Sequence, residues 1–148
     1  MAALHTSVEP RLLPVIAFDA LGVPTEDEMT RCWETPRGWQ KMMTYHWVST
    51  ARHIYRMRPL VVLEGCYDPQ YAIAACAAVR VKNRVVLLDV DAKTRATRLG
   101  ATPDEPAGWA EYLAENTILL GGTKIDASGT PAEVAAAIAR VGFELVTS

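Results

Sequence analysis

The fold is decided by residues 60–91, which read LVVLEGCYDPQYAIAACAAVRVKNRVVLLDVD. Two runs rich in valine and leucine, 60–63 and 84–88, predict buried strands. Between them, Asp68-Pro69 predicts the start of a helix over 70–79, since aspartate is a favoured N-cap and proline fits the first helical position. A buried strand, a helix of about ten residues and a second buried strand form the pattern of a parallel β-α-β unit.

The same alternation of strands and helices continues on both sides of this stretch. The further predicted elements are a strand over 15–18, helices over 25–33 and 39–57, a helix after Asp91, a helix over 109–117, a strand over 123–125, a helix from Thr130 that stops at Gly142, and a short strand over 143–146. Crossovers of this length are right-handed and cover both faces of a sheet. We therefore predict one α/β domain over 1–148, an open parallel three-layer sheet, with a weakly patterned tail (1–11) and a lid-like surface loop (100–108).

Composition limits the possible function. The 148 residues are 50% hydrophobic and 22% charged with a net charge of −2, which excludes disorder and argues against a protein that mainly coats nucleic acid or an anionic membrane. The apolar run 71–79 is too short to span a bilayer, and the N-terminus does not resemble a signal peptide. We predict a cytoplasmic protein that binds neither nucleic acid nor membrane.

Metal and disulfide sites are not indicated by the cysteine and histidine positions. Cys32, Cys66 and Cys76 lack the paired short spacing of a zinc site, and they are interpreted as reduced core residues. His46 and His53 are seven apart without a third clustered ligand, so no metal site is predicted.

Three predicted strands end in an acidic residue: Asp19, Glu64 and Asp89. Ligands of open α/β sheets bind outside the carboxyl ends of the strands. Asp89 is more simply interpreted, together with Asp91, as part of a helix start. For Asp19 and Glu64, a ligand-binding role and a purely structural role both remain open.

Two further groups are candidates for ligand contacts. Arg95 and Arg98 lie three apart on one helix and could clamp phosphate oxygens, although Arg95 could instead pair with Asp91 on a solvated face. Trp39, with Gln40 beside it at a helix start, could stack on an aromatic ligand or belong to the core. Trp47 is interpreted as a core residue.

Five short segments occur in an order that resembles a known family. They are Phe18-Asp-Ala-Leu-Gly-Val-Pro24, Gly38-Trp-Gln40, Val61-Val-Leu-Glu-Gly65, Val86-Leu-Leu-Asp-Val-Asp91 with Thr94-Arg95 and Arg98-Leu99, and Ile125-Asp-Ala-Ser128. Over about residues 12–146 this order resembles the small P-loop kinases of the nucleoside, adenylate and shikimate kinase type, together with related ATP-binding proteins.

The resemblance implies ATP-dependent phosphoryl transfer to a small molecule, with Mg²⁺. Asp19 would then bind the acceptor hydroxyl or act as its base, and Glu64, beside the substrate-binding Gly65, would reach the magnesium ion or its water shell. By the same resemblance, Arg95 and Arg98 lead into the phosphate-covering lid, and Asp126 and Ser128 flank the adenine. Trp39 and Gln40 are candidate substrate contacts.

One family feature is missing from the chain. The kinases open with a strand followed by Gly-x-x-x-x-Gly-Lys-[Ser/Thr], whose amides and lysine hold the phosphates. Residues 1–14 contain no such motif, and no Gly-Lys dipeptide occurs in the sequence. We therefore predict a kinase-like protein that is inactive or truncated as written. The alternative is a non-catalytic ligand-binding or protein-interaction module derived from such a kinase.

The missing strand lies, in the family, between the third and fourth strands of the sheet. Its loss would leave a gap of roughly 10 Å, two strand spacings, with unpaired edges on both sides. Three outcomes are then possible: the sheet closes over the gap, another segment or chain fills it, or the protein folds poorly. A homodimer through the exposed edges is one such outcome. A start codon assigned too late is another explanation, and it predicts an in-frame upstream extension of about 15–40 residues that encodes the loop.

Overall fold

The computed structural model of the protein describes residues 14–58, 60–99 and 108–147, with the side chains of Ala96, Arg98 and Leu99 outside this description. The predicted tail (1–11) and residues 100–107 of the predicted loop also lie outside it. The chain divides into two compact units, one over Pro10–Asn83 and one that contains Arg84–Ser148. No helix in the described part is long and apolar enough to cross a membrane.

The first unit contains two parallel strands and three helices: β1 Val15–Ala17, α1 Glu26–Trp33, α2 Pro36–Ile54, β2 Val62–Glu64 and α3 Pro69–Ala78. The strands pair in parallel, with Val15 opposite Val62 and Ala17 opposite Glu64. This parallel pairing requires the crossover that α1 and α2 supply.

The core of the first unit is formed by side chains from β1 and the two helices after it: Ile16, Phe18, Met29, Trp39, Met43 and Trp47. Burying each of these large side chains contributes about 1.5–3 kcal/mol. The indole N–H of Trp47 donates to the Phe18 carbonyl at 2.8 Å, so its one polar atom is satisfied. The prediction that Trp47 is a core residue is confirmed.

The helix starts of the first unit follow local sequence signals. Thr25 and Glu28 form a capping box at the start of the predicted helix, with the Thr25 amide 2.8 Å from the Glu28 carboxylate. Asp68 caps α3 by accepting the Gln70 amide at 2.9 Å. The first helix ends at Trp33 as predicted, and the chain turns at Glu34, whose φ is 67°, but α2 begins at Pro36, three residues before the predicted start at residue 39.

The second unit contains two strands, which pair in parallel, and three helices: β3 Val86–Asp89, α4 Ala92–Leu99, α5 Trp109–Leu119, β4 Thr123–Asp126 and α6 Pro131–Thr147. Val86 lies opposite Thr123 and Asp89 opposite Asp126. Helix α5 packs on both strands, and α6 packs on β4. Asp91 caps α4 as predicted, because its carboxylate accepts the Thr94 amide at 2.9 Å.

The end of α6 differs from the prediction. Gly142 does not stop this helix, and no strand forms over 143–146, since the helix continues to Thr147. A glycine inside a helix costs only about 1 kcal/mol relative to alanine. A cost of that size does not end a helix of 17 residues.

The α/β class and the parallel pairing of strands are confirmed. The described strands form two sheets of two strands each, β1 with β2 and β3 with β4. The single open three-layer sheet stays a prediction, as does the single domain. The interpretation of all three cysteines as core residues is wrong, because Cys32 and Cys66 are exposed. Cys32 occupies an exposed position within α1, and Cys66 lies in the loop after β2.

Candidate functional site

Asp19 and Glu64 lie at the same end of the β1–β2 pair. Glu64 is the last residue of β2, and the Phe18 amide donates to its carbonyl at 2.8 Å, which extends the pairing to the residue before Asp19. The chain then turns, with the Gly22 amide 2.8 Å from the Asp19 carbonyl. Parallel pairing thus brings together two acids that are 45 positions apart in the sequence.

The environment of Glu64 favours its neutral form. Burial raises the pKa of the Glu64 carboxyl, and the carboxylate of Asp19 raises it further. Glu64 is half-buried, whereas Asp19 is exposed. Two nearby carboxyl groups of this kind can accept hydrogen bonds from a hydroxyl group or share a cation, and groups with perturbed pKa values are more frequent at functional sites.

An aromatic cluster contains residues next to these acids in the chain: Phe18 precedes Asp19, and Tyr67 follows Glu64 by three residues. Phe18 stacks on Tyr67 with ring centres 5.1 Å apart, and Trp39 meets Phe18 edge-on at 5.7 Å. The Tyr67 hydroxyl donates to the Leu63 carbonyl at 2.9 Å, and burial raises the pKa of Tyr67. Gly65 is required here, because a Cβ on it would lie 2.4 Å from the Cβ of Phe18.

Trp39 and Gln40, which were predicted to contact the substrate, make contacts within the protein itself. Trp39 is 7% exposed and belongs to the core. The Gln40 side chain donates to the Cys66 carbonyl at 3.2 Å and accepts the Asp68 amide at 3.1 Å. The Gln40 side chain therefore holds the loop that follows β2, Trp39 packs against Phe18, and a direct contact of either with a ligand stays a prediction.

A cleft opens beside the turn that contains Asp19. It encloses about 370 Å³ and is lined by residues of the turn and of α1: Leu21, Gly22, Val23, Pro24, Glu28, Arg31, Cys32 and Trp33. Its lining does not include Trp39 or Gln40. The cleft is wide open to solvent, its lining is partly charged through Glu28 and Arg31, and neither Asp19 nor Glu64 belongs to it.

The second unit has its own charged cluster at the carboxyl end of β3. The Asp89 carboxylate pairs with Lys124 at 2.6 Å and lies 3.7 Å from the Arg95 guanidinium, which also donates to the Val90 carbonyl at 3.3 Å. The alternative of an Arg95–Asp91 pair is wrong, because Arg95 turns back to Asp89. Lys124 was missed in the sequence, although its position two residues before Asp126 places both on one side of β4.

Asp126 and Ser128 are hydrogen-bonded to each other. The Ser128 amide donates to Asp126 at 2.8 Å, and hydrogen bonds from the Ser128 hydroxyl and amide lower the pKa of the Asp126 carboxyl. The Ala127 amide donates to the Asp89 carbonyl at 2.8 Å. The predicted adenine-flanking loop is therefore a turn closed on itself. Arg98 lies in α4, and its side chain is outside the described part.

The predicted site residues thus fall into two groups. Asp19, Glu64, Gly65, Trp39 and Gln40 belong to the first unit, and Arg95, Asp126 and Ser128 belong to the second.

The residues present do not supply an ATP site. The sequence has no glycine-lysine loop for the phosphates, and the described residues contain no group of three or more potential metal ligands. Asp19 and Glu64 could hold Mg²⁺ only together with oxygen ligands from a bound molecule, which is how Mg²⁺ usually binds in proteins. No reaction step through ATP follows from these residues.

Comparisons of the chain with protein-family models, with curated proteins and with solved structures found no match.

Proposed function

We propose that this chain has the lineage of the small P-loop kinases and that residues 1–148 bind a hydroxyl-bearing small molecule without transferring a phosphoryl group to it. The observation that carries the proposal is the pair of acids Asp19 and Glu64 at the carboxyl end of two register-paired parallel strands. This is the edge at which α/β proteins bind ligands.

The strand pairing also supports the proposed lineage. In the kinases that the chain resembles, the missing first strand lies between the counterparts of β2 and β3. The pairs that remain on its two sides are β1 with β2 and β3 with β4, and these are the pairs among the described residues. An open three-layer sheet, completed by that strand, is the finer form of this proposal.

The chemistry of the site favours binding over transfer. Asp19 is an exposed carboxylate that can accept a hydrogen bond from a hydroxyl group, and Glu64, whose pKa is raised by burial, lies at the same end of the strand pair. Phosphoryl transfer depends on cations and amides that neutralise the charge of the phosphates. The two acids alone would repel a triphosphate, and no lysine loop offsets that repulsion.

The test uses the purified chain. We expect no magnesium-dependent ATP turnover, and we expect a compound from a panel of nucleosides, sugars and cyclic polyols to raise the melting temperature. Asp19→Asn should abolish that shift, because an amide no longer offers the charged acceptor. Asp27→Asn is the matched control, since Asp27 is an exposed acid in the first turn of α1.

Two results would contradict the proposal. One is ATP turnover that Asp19→Asn or Glu64→Gln abolishes, because the chain would then be an active kinase. The other is a panel in which every compound that stabilises the protein does so equally in Asp19→Asn and Asp27→Asn.

A protein-interaction module is the second candidate. Among the described residues β2 has one pairing partner, and residues 60–63 before its end carry no charge that would protect a free edge. A partner or a second copy could add a strand there. A discrete dimer in light scattering, in the absence of any ligand response, would favour this candidate.

A further inference from the structure

Helix α6 has apolar residues on two opposite sides. The residues of one side pack within the protein: they recur at steps of three or four and are half-buried, namely Val134, Ile138, Val141 and Leu145. The opposite side is formed at the same steps by Ala132, Ala136, Ala139 and Phe143. We call these four residues the outer face of α6. A helix with one side in solvent normally carries charged and polar residues there, and the outer face has none.

The outer face combines one large side chain with a row of small ones. Phe143 is 67% exposed. Ala132 and Ala136 are exposed, and Ala139 is half-buried. Small residues let the backbone of a second helix approach to about 8 Å, and an exposed aromatic ring has a large apolar area to bury. Both features fit another helix as the occupant of this face.

The spacing of the outer face is self-complementary. Phe143 and Ala132 are eleven positions apart, which is about 16 Å along the helix, and the midpoint between them falls between Ala136 and Ala139. If a second copy of α6 packs antiparallel about a two-fold axis at this midpoint, Phe143 of each copy lies against Ala132 of the other. One patch then serves both copies, as it does in closed homodimers.

The charges beside the outer face fit the same arrangement. Glu133 and Arg140 are seven positions apart, so they lie on one flank of α6. The Thr130 amide and hydroxyl both donate to Oε2 of Glu133 at 2.7 Å, which holds this carboxylate at the helix start. Arg140 is exposed and forms no ion pair within the described residues.

The two-fold axis of an antiparallel pair brings the same flank of both helices together. Arg140 of each copy then lies within about 3 Å, measured along the helix axis, of Glu133 of the other copy. The symmetry makes this contact twice. A parallel pair would instead bring the flank of Glu133 and Arg140 against the opposite flank, so it lacks both contacts.

We propose that the outer face of α6 is the interface of a homodimer, in which a second copy of this chain packs antiparallel on it. A helix of 17 residues is about 25 Å long, so the interface belongs to the small class that gives weak, concentration-dependent association. The interface uses no strand edge. An anionic membrane does not match this face, because Glu133 and Glu144 lie beside it with Arg140 as the one base of α6.

The first test is sedimentation velocity of the full chain over a concentration series. We expect the average mass to rise from monomer towards dimer between about 10 µM and 1 mM, as for weak interfaces. Phe143→Glu should weaken the dimer at least about tenfold, because it replaces the central anchor by a charge. The matched control is Leu119→Glu, since Leu119 is 81% exposed and ends α5, and it should leave the dissociation constant unchanged.

Charge reversal tests the flank of α6. Arg140→Glu should weaken the dimer by a few fold, since it sets like charges against each other where Glu133 of the other copy lies. Lys82→Glu changes the net charge equally at an exposed residue outside α6 and should leave the dimer intact. Circular dichroism should show unchanged helix content in all of these variants, because each replaced side chain is exposed.

Cross-linking with a short bis-maleimide tests the antiparallel direction, in a background without the exposed cysteines (Cys32→Ser/Cys66→Ser). Ala136→Cys should cross-link, because the two-fold axis brings both copies of this position within about 5 Å along the helix. Ala132→Cys should not, because its two copies are about 16 Å apart.

Four results would overturn the proposal. The chain stays monomeric up to about 1 mM. Phe143→Glu and Leu119→Glu affect the dimer equally, which would indicate another interface such as a strand edge. Arg140→Glu and Lys82→Glu weaken it equally, which would indicate general electrostatics. Ala132→Cys cross-links as readily as Ala136→Cys, which would exclude the antiparallel arrangement.

Discussion

Gly65 directly follows Glu64, and its backbone lies close to Phe18 of the aromatic cluster. Its φ of +155° is disfavoured for other residues, and a Cβ there would lie 2.4 Å from the Cβ of Phe18. Neither Cβ can rotate away, because both are fixed to the backbone. At this position the identity of one residue determines whether the loop after β2 can follow its path.

Gly65→Ala should therefore destabilise the protein by about 2–4 kcal/mol, an overpacking and strain effect. Gly22→Ala is the matched control: its φ is +87°, but no atom lies within 4 Å of the added Cβ. We expect that control to cost about 1–2 kcal/mol. Urea unfolding followed by tryptophan fluorescence measures both. Equal midpoints for the two variants would contradict the close contact with Phe18.

Glu64 should make stability depend on pH in a specific direction. Because burial, with a further contribution from Asp19, raises the pKa of Glu64 in the folded protein, the folded state holds that proton more tightly than the unfolded state. The contribution of Glu64 is therefore fully present below the usual glutamate pKa and is lost as pH rises through the raised value.

Glu64→Gln removes this dependence and should stabilise the protein at neutral pH by a few tenths to about 1 kcal/mol, a small value because Glu64 is only half-buried. The measurement is the difference in unfolding free energy between the natural protein and the variant from pH 4 to pH 8. Capping acids with lowered pKa values, such as Glu28, are common to both proteins and cancel in this difference. A difference that does not change with pH would show that the pKa is not raised.

At the scale of elements, the side chain of Gln40 connects α2 to the loop after β2. Gln40 donates to the Cys66 carbonyl and accepts the amide of the buried residue Asp68. Gln40→Ala would leave both backbone groups without this partner. A buried group without a partner costs about 1–3 kcal/mol.

We expect Gln40→Ala to destabilise the protein by about that amount and to accelerate hydrogen exchange at the Asp68 amide. Lys41→Ala, one position further on the exposed side of α2, should leave that exchange rate unchanged. If the amide of Asp68 exchanges at the same rate in both variants, the two hydrogen bonds do not hold the loop.

The sequence predicted those elements whose signals are local. Thr25 with Glu28, Asp68 with Pro69, and Asp91 with Thr94 are separated by three residues or fewer, and each begins a helix where expected. The Asp89–Lys124 pair and the contacts of Gln40 join residues 26 to 35 positions apart, which only the tertiary fold brings together. At Gly142 a weak local signal predicted a helix end, and the helix continues to Thr147.

In the candidate site, too, the features with local sequence signals were predicted, and those that depend on tertiary packing were not. That Asp19 and Glu64 end strands follows from the apolar runs before them, and their proximity follows from parallel pairing. The use of Gln40 by the loop, the core position of Trp39 and the exposure of Cys66 depend on packing, which residue patterns do not specify.

At the scale of the whole molecule, opposite charges are segregated along the chain. The acids that form the proposed ligand site lie at strand ends of the first unit. Residues 35–58 of the same unit contain five bases and no acid, and three of these bases lie in α2 while two follow it.

The central claim is that Asp19 and Glu64 form one ligand site, and carboxyl-detected NMR tests it most directly. With the panel of nucleosides, sugars and cyclic polyols, we predict that a bound compound shifts the side-chain carboxyl signals of Asp19 and Glu64 together and changes the pKa of Glu64, while Asp27 stays constant. A bound compound that moves neither signal, or that moves Asp27 as much as Asp19, would contradict the claim.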